Sequence, residues 1–323
     1  MRTNYAVGVD VGGTRIGVGL VERKGRIIKD ARRLTPKGGP FAVVDMIIDL
    51  VDEVIAGVHQ SELAGIGIGI PGQIDFSRQS IEFCTNLPLA GVDVRALVMS
   101  RTKHEVTIDN DGNLAAFGEA RWGAAKGARD FLMLTLGTGV GGGMFLNGEP
   151  YRGSRGMAGE LGHVVVELEG RMCPCGGKGH LEAYLGRFAI AEKGVEAAAM
   201  FKGRAILKQA GGKIDDVTAE SVIKAAVAGD AVARDILLDC GYVLGRALVG
   251  FVNIFNPRLI LIGGGIGESA DFMVERAAEV MRTEALAGRR DVEIAQAVLG
   301  NDAGILGAAA LSFDEHDSRE GMH

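Results

Sequence analysis

Apolar residues recur along the first twenty positions in the alternation of β-strands, and that pattern sets the fold class. Tyr5 to Asp10 reads as a short buried strand ending at a carboxylate, and Ile16 to Val21 as a second strand closed by the Lys24-Gly25 turn. After Gly39-Pro40 the period becomes helical, with Phe41, Val44, Ile47, Ile48, Val51, Val54 and Ile55 on one stripe. Gly65 to Gly72 reads as a buried strand entering a loop, Glu105 to Ile108 as another strand, and Asn113 to Trp122 as the helix behind it. Further helices are predicted over Arg187 to Gln209, over Thr218 to Ala228 with Thr218 as the cap, and from Asp230 to about Phe255. Leu259 to Ile262 is a buried strand, Gly300 to Leu311 a last helix, and the polar tail after Ser312 is expected to fray.

One theme occurs twice. Val9 to Val21, VDVGGTRIGVGLV, overlies Leu134 to Leu146, LTLGTGVGGGMFL, pairing Gly12 with Gly137 and Gly17 with Gly142. Each copy is an apolar strand, a Gly/Thr turn and a second strand. A duplication of this kind implies two similar α/β domains facing one cleft. The expected division is 1–120 and 121–301, with a hinge near Gly118 to Gly127 and the last helix, about 302–313, crossing back to the first domain.

Composition and charge narrow the functional classes. The chain has 323 residues, enough for one large or two ordinary domains, with 47% hydrophobic and 24% charged residues. A net charge of -6 without a basic run argues against a nucleic-acid partner. No apolar stretch is long enough to span a membrane. Only four cysteines occur, and Cys84 and Cys240 read as unpaired thiols, which fits a cytoplasmic, reducing setting.

Fifty glycines cluster in loops, where backbone can approach a phosphate closely. In Asp10-Val11-Gly12-Gly13-Thr14-Arg15 a carboxylate at a strand end can hold Mg²⁺ through water while turn N–H groups face a phosphate. The same stretch also reads as an ordinary hairpin turn. Gly137-Thr138-Gly139 opens the second copy, and two such loops could clamp the polyphosphate of ATP. Gly263-Gly264-Gly265, after a buried strand, offers bare backbone on which an adenine can lie, or is a simple strand–helix turn. The patterns Gly67-x-Gly69-x-x-Gly72 and Gly137-x-Gly139-x-x-Gly142 resemble a dinucleotide fingerprint. Neither opens a helix as that site requires, and no Walker-type phosphate loop exists.

Asn110-Asp111 sits where a strand gives way to a helix. Both residue types favour helix caps. The functional reading makes Asp111 the acceptor of a proton from an attacking hydroxyl, with Asn110 bonding a neighbouring hydroxyl. Gly156 to Glu182 gathers His163, Cys173, Cys175 and His180, four donors that suit a closed tetrahedral zinc site. Glu160 and Glu182 are then left to accept hydrogen bonds from sugar hydroxyls.

With these residues in view, the chain resembles the ROK family of repressors and sugar kinases. The resemblance runs from Asp10 to Gly307 and rests on DVGGTRIGVGLV, GIPGQID, NLPLAG, NDGNLAAFGEA, LGTGVGGGMFLNGEPYRG, AGELGH, CPCGGKGHLE, NPRLILIGGG and GAAAL. It implies a two-domain actin-like (ribonuclease H-like) fold that closes over ATP-Mg²⁺ and a hexose. Glucose is the leading substrate, with fructose, allose or N-acetylmannosamine as alternatives, and a homo-oligomer, dimer or tetramer, is expected. It makes Asp111 the base and Asn110, Glu160, His163 and Glu182 sugar ligands, with Asn86 and Gly72 at the sugar rim. The family's zinc run, C-x-C-G-x-x-G-C, ends here in His180 instead of cysteine. Zinc is expected to be kept, with His180 or a water as the fourth ligand. A sugar-sensing repressor is disfavoured, since the first phosphate strand begins at Tyr5. A silent sugar-binding protein is disfavoured by Asp10, Asp111 and both loops.

Overall fold

The structure is a computed structural model and describes residues 3–75, 81–84, 87–289 and 291–321. The opening alternation becomes an antiparallel meander of β1 (Tyr5–Val11), β2 (Arg15–Glu22) and β3 (Ile27–Leu34). β4 (Leu63–Ile70), buried throughout, adds beside β1 in parallel. Its continuation forms a short antiparallel ladder of β5 (Gln73–Ile74) and β6 (Ile81–Phe83), and β7 (Val106–Asn110) then adds parallel to β4. The strand order is β3-β2-β1-β4-β7.

The second sheet repeats that plan. β8 (Phe131–Leu136), β9 (Val140–Leu146) and β10 (Glu149–Pro150) stand for the meander. β11 (Leu259–Gly263) pairs in parallel with β8 and with β12 (Glu293–Gln296), giving the order β10-β9-β8-β11-β12. Position for position the two orders correspond, as the internal sequence repeat implies. The chain divides into two compact units. One is Met1–Arg129 with Gly143–Gly159 and Val298–His323; the other is Asp130–Gly142 with Glu160–Ala297.

Around the first sheet, α1 (Pro40–Ile55) starts with proline in its first turn and buries Val43, Val44, Ile47, Ile48, Leu50, Val51 and Val54. The buried stripe is shifted from the expected one, because Phe41 is 65% exposed. α2 (Val94–Thr102) is capped by Asp93, whose carboxylate accepts the Ala96 N–H at 2.8 Å, and α3 (Asp111–Trp122) follows β7 directly. The later helices are α4 (Glu182–Leu185), α5 (Arg187–Ala199), α6 (Arg204–Gln209), α7 (Ala219–Val227), α8 (Ala231–Phe255), α9 (Gly264–Gly267), α10 (Asp271–Glu284) and α11 (Ala303–Arg319). Thr218 caps α7 as expected, in a reciprocal pair with Ser221.

Two expectations need correction. The single helix over Arg187 to Gln209 is two helices, since the chain turns at Met200 to Gly203 with Phe201 at φ 59. The chain after Ser312 stays helical as far as Arg319, the end of α11. There Asp317 accepts two hydrogen bonds from Arg23 at 2.7 and 2.8 Å and Arg121 reaches Asp314 at 3.2 Å.

α11 lies on the first sheet and on α3 at a spacing only glycine allows. A Cβ on Gly8 would fall 1.8 Å from the Ile305 carbonyl oxygen, on Gly67 1.9 Å from that of Ala308, and on Gly307 1.7 Å from that of Leu114. Removing those carbons lets backbone meet backbone, which seats the strand ends that carry Asp10 and Asp109 against one rigid helix layer. α8 and α10 pack by the same device at Gly241 and Gly245. Among the described residues, no helix is long and apolar enough to cross a membrane.

Candidate active site

In the first unit, two carboxylates emerge at the ends of parallel strands. Asp10 closes β1, and its side chain rests against the first turn of α11: a Cβ on Gly304 would lie 2.8 Å from its carboxyl carbon. Burial first, and the Asp111 charge next, push Asp10 up to about 6 against the lowering influence of Arg32. Arg32 is itself held by Asp302 and, at 3.4 Å, by Asp30. Asp111 is the first residue of α3 and accepts the Gly112 N–H at 2.8 Å. Burial raises its pKa, and the backbone bond opposes that rise. A carboxylate whose proton affinity is raised by burial is, when ionised, a stronger proton acceptor than an exposed one.

Asn110 is the cap of α3, with its side-chain oxygen accepting from Gly112 at 2.9 Å and Asn113 at 3.1 Å. Its amide donates to the Gly72 carbonyl at 3.0 Å, which spends one of two donors and leaves the other for a ligand. Behind this turn sits Asp109, a residue to which the sequence alone assigns no role. It is buried and accepts from Asn110 N–H at 2.8 Å, Asn113 Nδ2 at 3.1 Å, and Arg152 Nε and Nη2 at 2.7 and 2.6 Å. The paired carboxylate fixes the turn that carries Asn110 and Asp111. The pairing joins residues far apart in the chain, and nothing local signals it. Gly12, Gly13, Thr14 and Arg15 form the β1–β2 turn, closed by Gly12 N–H to the Arg15 carbonyl at 2.9 Å and braced by the Thr35 hydroxyl at 2.6 Å. Gly13, Thr14 and Arg15 are exposed.

In the second unit, Gly137, Thr138 and Gly139 form the matching turn, with Gly137 N–H bonded to the Gly139 carbonyl at 2.9 Å. Glu182, the first residue of α4, accepts the Val140 N–H at 2.9 Å. Its other oxygen is 3.6 Å from Cys173 Sγ. Glu160 is exposed, with its carboxylate 3.8 Å from His163 Nε2. Gly264, at φ 81, turns its missing side chain toward the Leu136 backbone, so its role is steric. Gly265 instead lines a cavity of about 690 Å³ walled by Ile223, Val227, Ala228 and Ile266. At its edge are Lys224 and the Arg187–Glu220 ion pair (3.1 Å), which no motif in the sequence singles out.

The ligand atoms of His163, Cys173, Cys175 and His180 lie within 4.8 Å of one another. Cys173 Sγ is 3.8 Å from His163 Nδ1 and Cys175 Sγ is 3.2 Å from His180 Nδ1. Bonds of about 2.0–2.3 Å to one tetrahedral ion put donors roughly 3.3–3.8 Å apart, close to these two pairs, and two thiols with two imidazoles have the donor chemistry of zinc. With Nδ1 turned inward, His163 keeps Nε2 for the side of Glu160. Burial above all, and then Cys175 and Glu182, push the Cys173 thiol up to about 12 against a backbone hydrogen bond. Metal binding must therefore displace a proton. Asn86 lies outside the described residues.

Residues 6–315 match the ROK family. The chain belongs to the ROK family. It is 36% identical over 325 residues to the glucokinase of Halalkalibacterium halodurans, covering 99% of this chain and 98% of that one. It is 36% identical over 314 residues to the glucokinase of Thermotoga maritima, covering 94% and 96%. A crystal structure of a ROK family glucokinase from Streptomyces griseus in complex with glucose and AMPPNP superposes with a TM-score of 0.86 at 31% identity, covering 95% of this chain and 98% of that one. The duplicated sheets are thus the actin-like fold of ROK kinases.

Proposed function

We propose that this ROK family chain transfers the γ-phosphoryl group of ATP to glucose, giving glucose 6-phosphate. The observation that carries the reading is Asp111, a carboxylate with a raised pKa on a turn held rigid by Asn110 and by the Asp109–Arg152 pair. Near-complete coverage of the two glucokinases supports it. In this reading Asp111 accepts the proton of the attacking hydroxyl, and the remaining Asn110 N–H bonds a neighbouring hydroxyl. Glu160, His163 through Nε2, and Glu182 hold non-reacting hydroxyls, with Asn86 and Gly72 at the rim. Phosphoryl transfer depends on placement and charge neutralisation more than on covalent chemistry.

The turns Gly12 to Arg15 and Gly137 to Gly139 cradle phosphates, and the cavity beside Gly265, with Gly264 setting its backbone, takes the adenine. Asp10 would hold Mg²⁺ through water, and the ion would supply charge neutralisation on the phosphates. Zinc at His163, Cys173, Cys175 and His180 would supply a fixed orientation of the His163 ring. A reducing cytoplasm suits a chain with only four cysteines, and the resemblance supports a homo-oligomer. A coupled assay for ADP release with a panel of hexoses tests the reading. Glucose should give the highest kcat/KM; a flat panel, or no ADP release with any sugar, refutes it.

A further inference from the structure

One side chain joins the metal knuckle to the second phosphate turn. Glu182 follows the ligand His180 by two positions and touches both structures, with Oε1 3.6 Å from Cys173 Sγ and Oε2 2.9 Å from the Val140 nitrogen. Val140 ends the Gly137-Thr138-Gly139 turn. A Cβ on Gly139 would lie 2.1 Å from Glu182 Oε2, so the carboxylate occupies the space a side chain there would need. The far end of the same segment grips the turn again: the Arg187 N–H donates to the carbonyls of Gly137 at 3.1 Å and Thr138 at 3.2 Å. Just before α4 the chain is tied back to the segment after His163, with Leu181 N–H donating to the Val164 carbonyl at 2.9 Å and Val165 bridged to His180. Residues 173–187 thus form one connected brace, with three of the four metal donors at one end, His163 beside them, and the turn at the other.

We propose that Glu182 is the positioning residue through which the metal knuckle holds the second phosphate turn, so that metal occupancy sets the affinity for nucleotide. This rests on the zinc and phosphate-turn assignments above. An ion that links His163 to His180 closes the knuckle and fixes where α4 begins, and hence where the Glu182 carboxylate meets Val140. Without the ion that end of the brace is free to move, and the turn must be ordered by the nucleotide at the cost of affinity. A carboxylate has acceptor sites for a sugar hydroxyl as well, so Glu182 can serve both substrates.

The test is calorimetry of AMPPNP with Mg²⁺ in the absence of sugar, which separates the turn from the sugar role, with zinc measured by elemental analysis. Chelator-stripped wild type should bind AMPPNP about tenfold more weakly than zinc-loaded wild type and recover when zinc is returned. Glu182→Gln leaves the Val140 N–H only a neutral, weaker acceptor, so it should show about the same loss while retaining one equivalent of zinc, and stripping that variant should cost less than about twofold more, because both changes loosen one brace. Equal affinity of loaded and stripped wild type overturns the coupling alone, as does a full further tenfold loss on stripping Glu182→Gln. A protein that takes up no zinc overturns the zinc assignment and the coupling with it. One that binds zinc but never AMPPNP overturns the nucleotide assignment. Should the stripped protein unfold, the zinc-loaded variant decides: wild-type affinity in Glu182→Gln refutes the proposal.

Discussion

Asp10 carries a cost that its proposed role explains, and the two can be separated by pH. Its carboxyl is pushed from an ordinary 3.8 to about 6, chiefly by burial. A group whose folded pKa lies above its unfolded value adds stability below the unfolded pKa and loses it as pH rises through the folded one. For Asp10 that window runs from about 3.8 to about 6. Above it the folded chain carries a buried charge, a penalty of about 3 kcal/mol from a shift of about two pKa units at about 1.4 kcal/mol each. Asp10→Asn keeps the shape and removes the charge. The variant should therefore gain up to about 3 kcal/mol over wild type at pH 7.5, and the gain should vanish near pH 4. The assay is chemical denaturation of both proteins at pH 4, 5, 6 and 7.5.

Activity should move the other way. If the ionised carboxylate holds the metal of ATP-Mg²⁺, Asp10→Asn should lose about 10²-fold or more in kcat/KM for ATP. Wild-type kcat/KM should fall about tenfold per unit below pH 6, once Asp10 protonates. A variant that is no more stable at pH 7.5, or equally stabilised at pH 4 and 7.5, refutes the electrostatic account. A stabilised variant with full activity refutes the metal role and leaves the electrostatics standing.

Other outcomes follow from the same geometry. Asp111→Asn should lower kcat by about 10²–10⁴-fold with glucose affinity by calorimetry little changed, since the acceptor of the Gly112 N–H survives and the base does not; near wild-type turnover would leave Asp111 a helix-start residue only. Arg152→Ala should cost about 3 kcal/mol in denaturant unfolding, because Asp109 is left charged and buried, and adding Asp109→Asn should recover part of that loss; simple additivity of the two would count against the pairing. Gly307→Ala should cost about 3 kcal/mol, its Cβ falling 1.7 Å from a carbonyl oxygen; a change within about 0.5 kcal/mol would mean α11 can shift freely.

What the sequence disclosed and what it withheld divide along a physical line. Local, periodic features were legible: the β1 and β2 alternation, the α7 cap at Thr218, the four-donor knuckle, and the repeat that foretold two sheets of matching order. Features made by distant partners were not. The polar end of α11 reads as a tail because nothing nearby shows that Arg23 and Arg121 wait for Asp317 and Asp314. α10 buries mostly Ala and Met against the glycines of α8, a fit that depends on a partner helix distant in sequence. Asp109 reads as one more turn residue until Arg152 arrives from the far side of β10. Asn110 reads from sequence as a cap or as a ligand, and the structure shows the cap, with its amide donating to the Gly72 carbonyl.

The duplication itself shows why a repeat need not mean repeated chemistry. In the overlaid sequences Asp10 of the first copy stands against Thr135 of the second, so only the first turn has a carboxylate of its own. The second turn receives one from outside, and it arrives differently. Asp10 sits at its strand end with a raised pKa, a poor tenant of protein alone but a good neighbour for a cation. Glu182 is already engaged with the Val140 N–H, so its charge holds the turn in place. That leaves the exposed Thr138 hydroxyl at the tip of a braced, glycine-lined turn. One turn is therefore suited to a metal ion and the other to an anion. A duplicated fold can thus carry a different chemistry on each copy of the same turn.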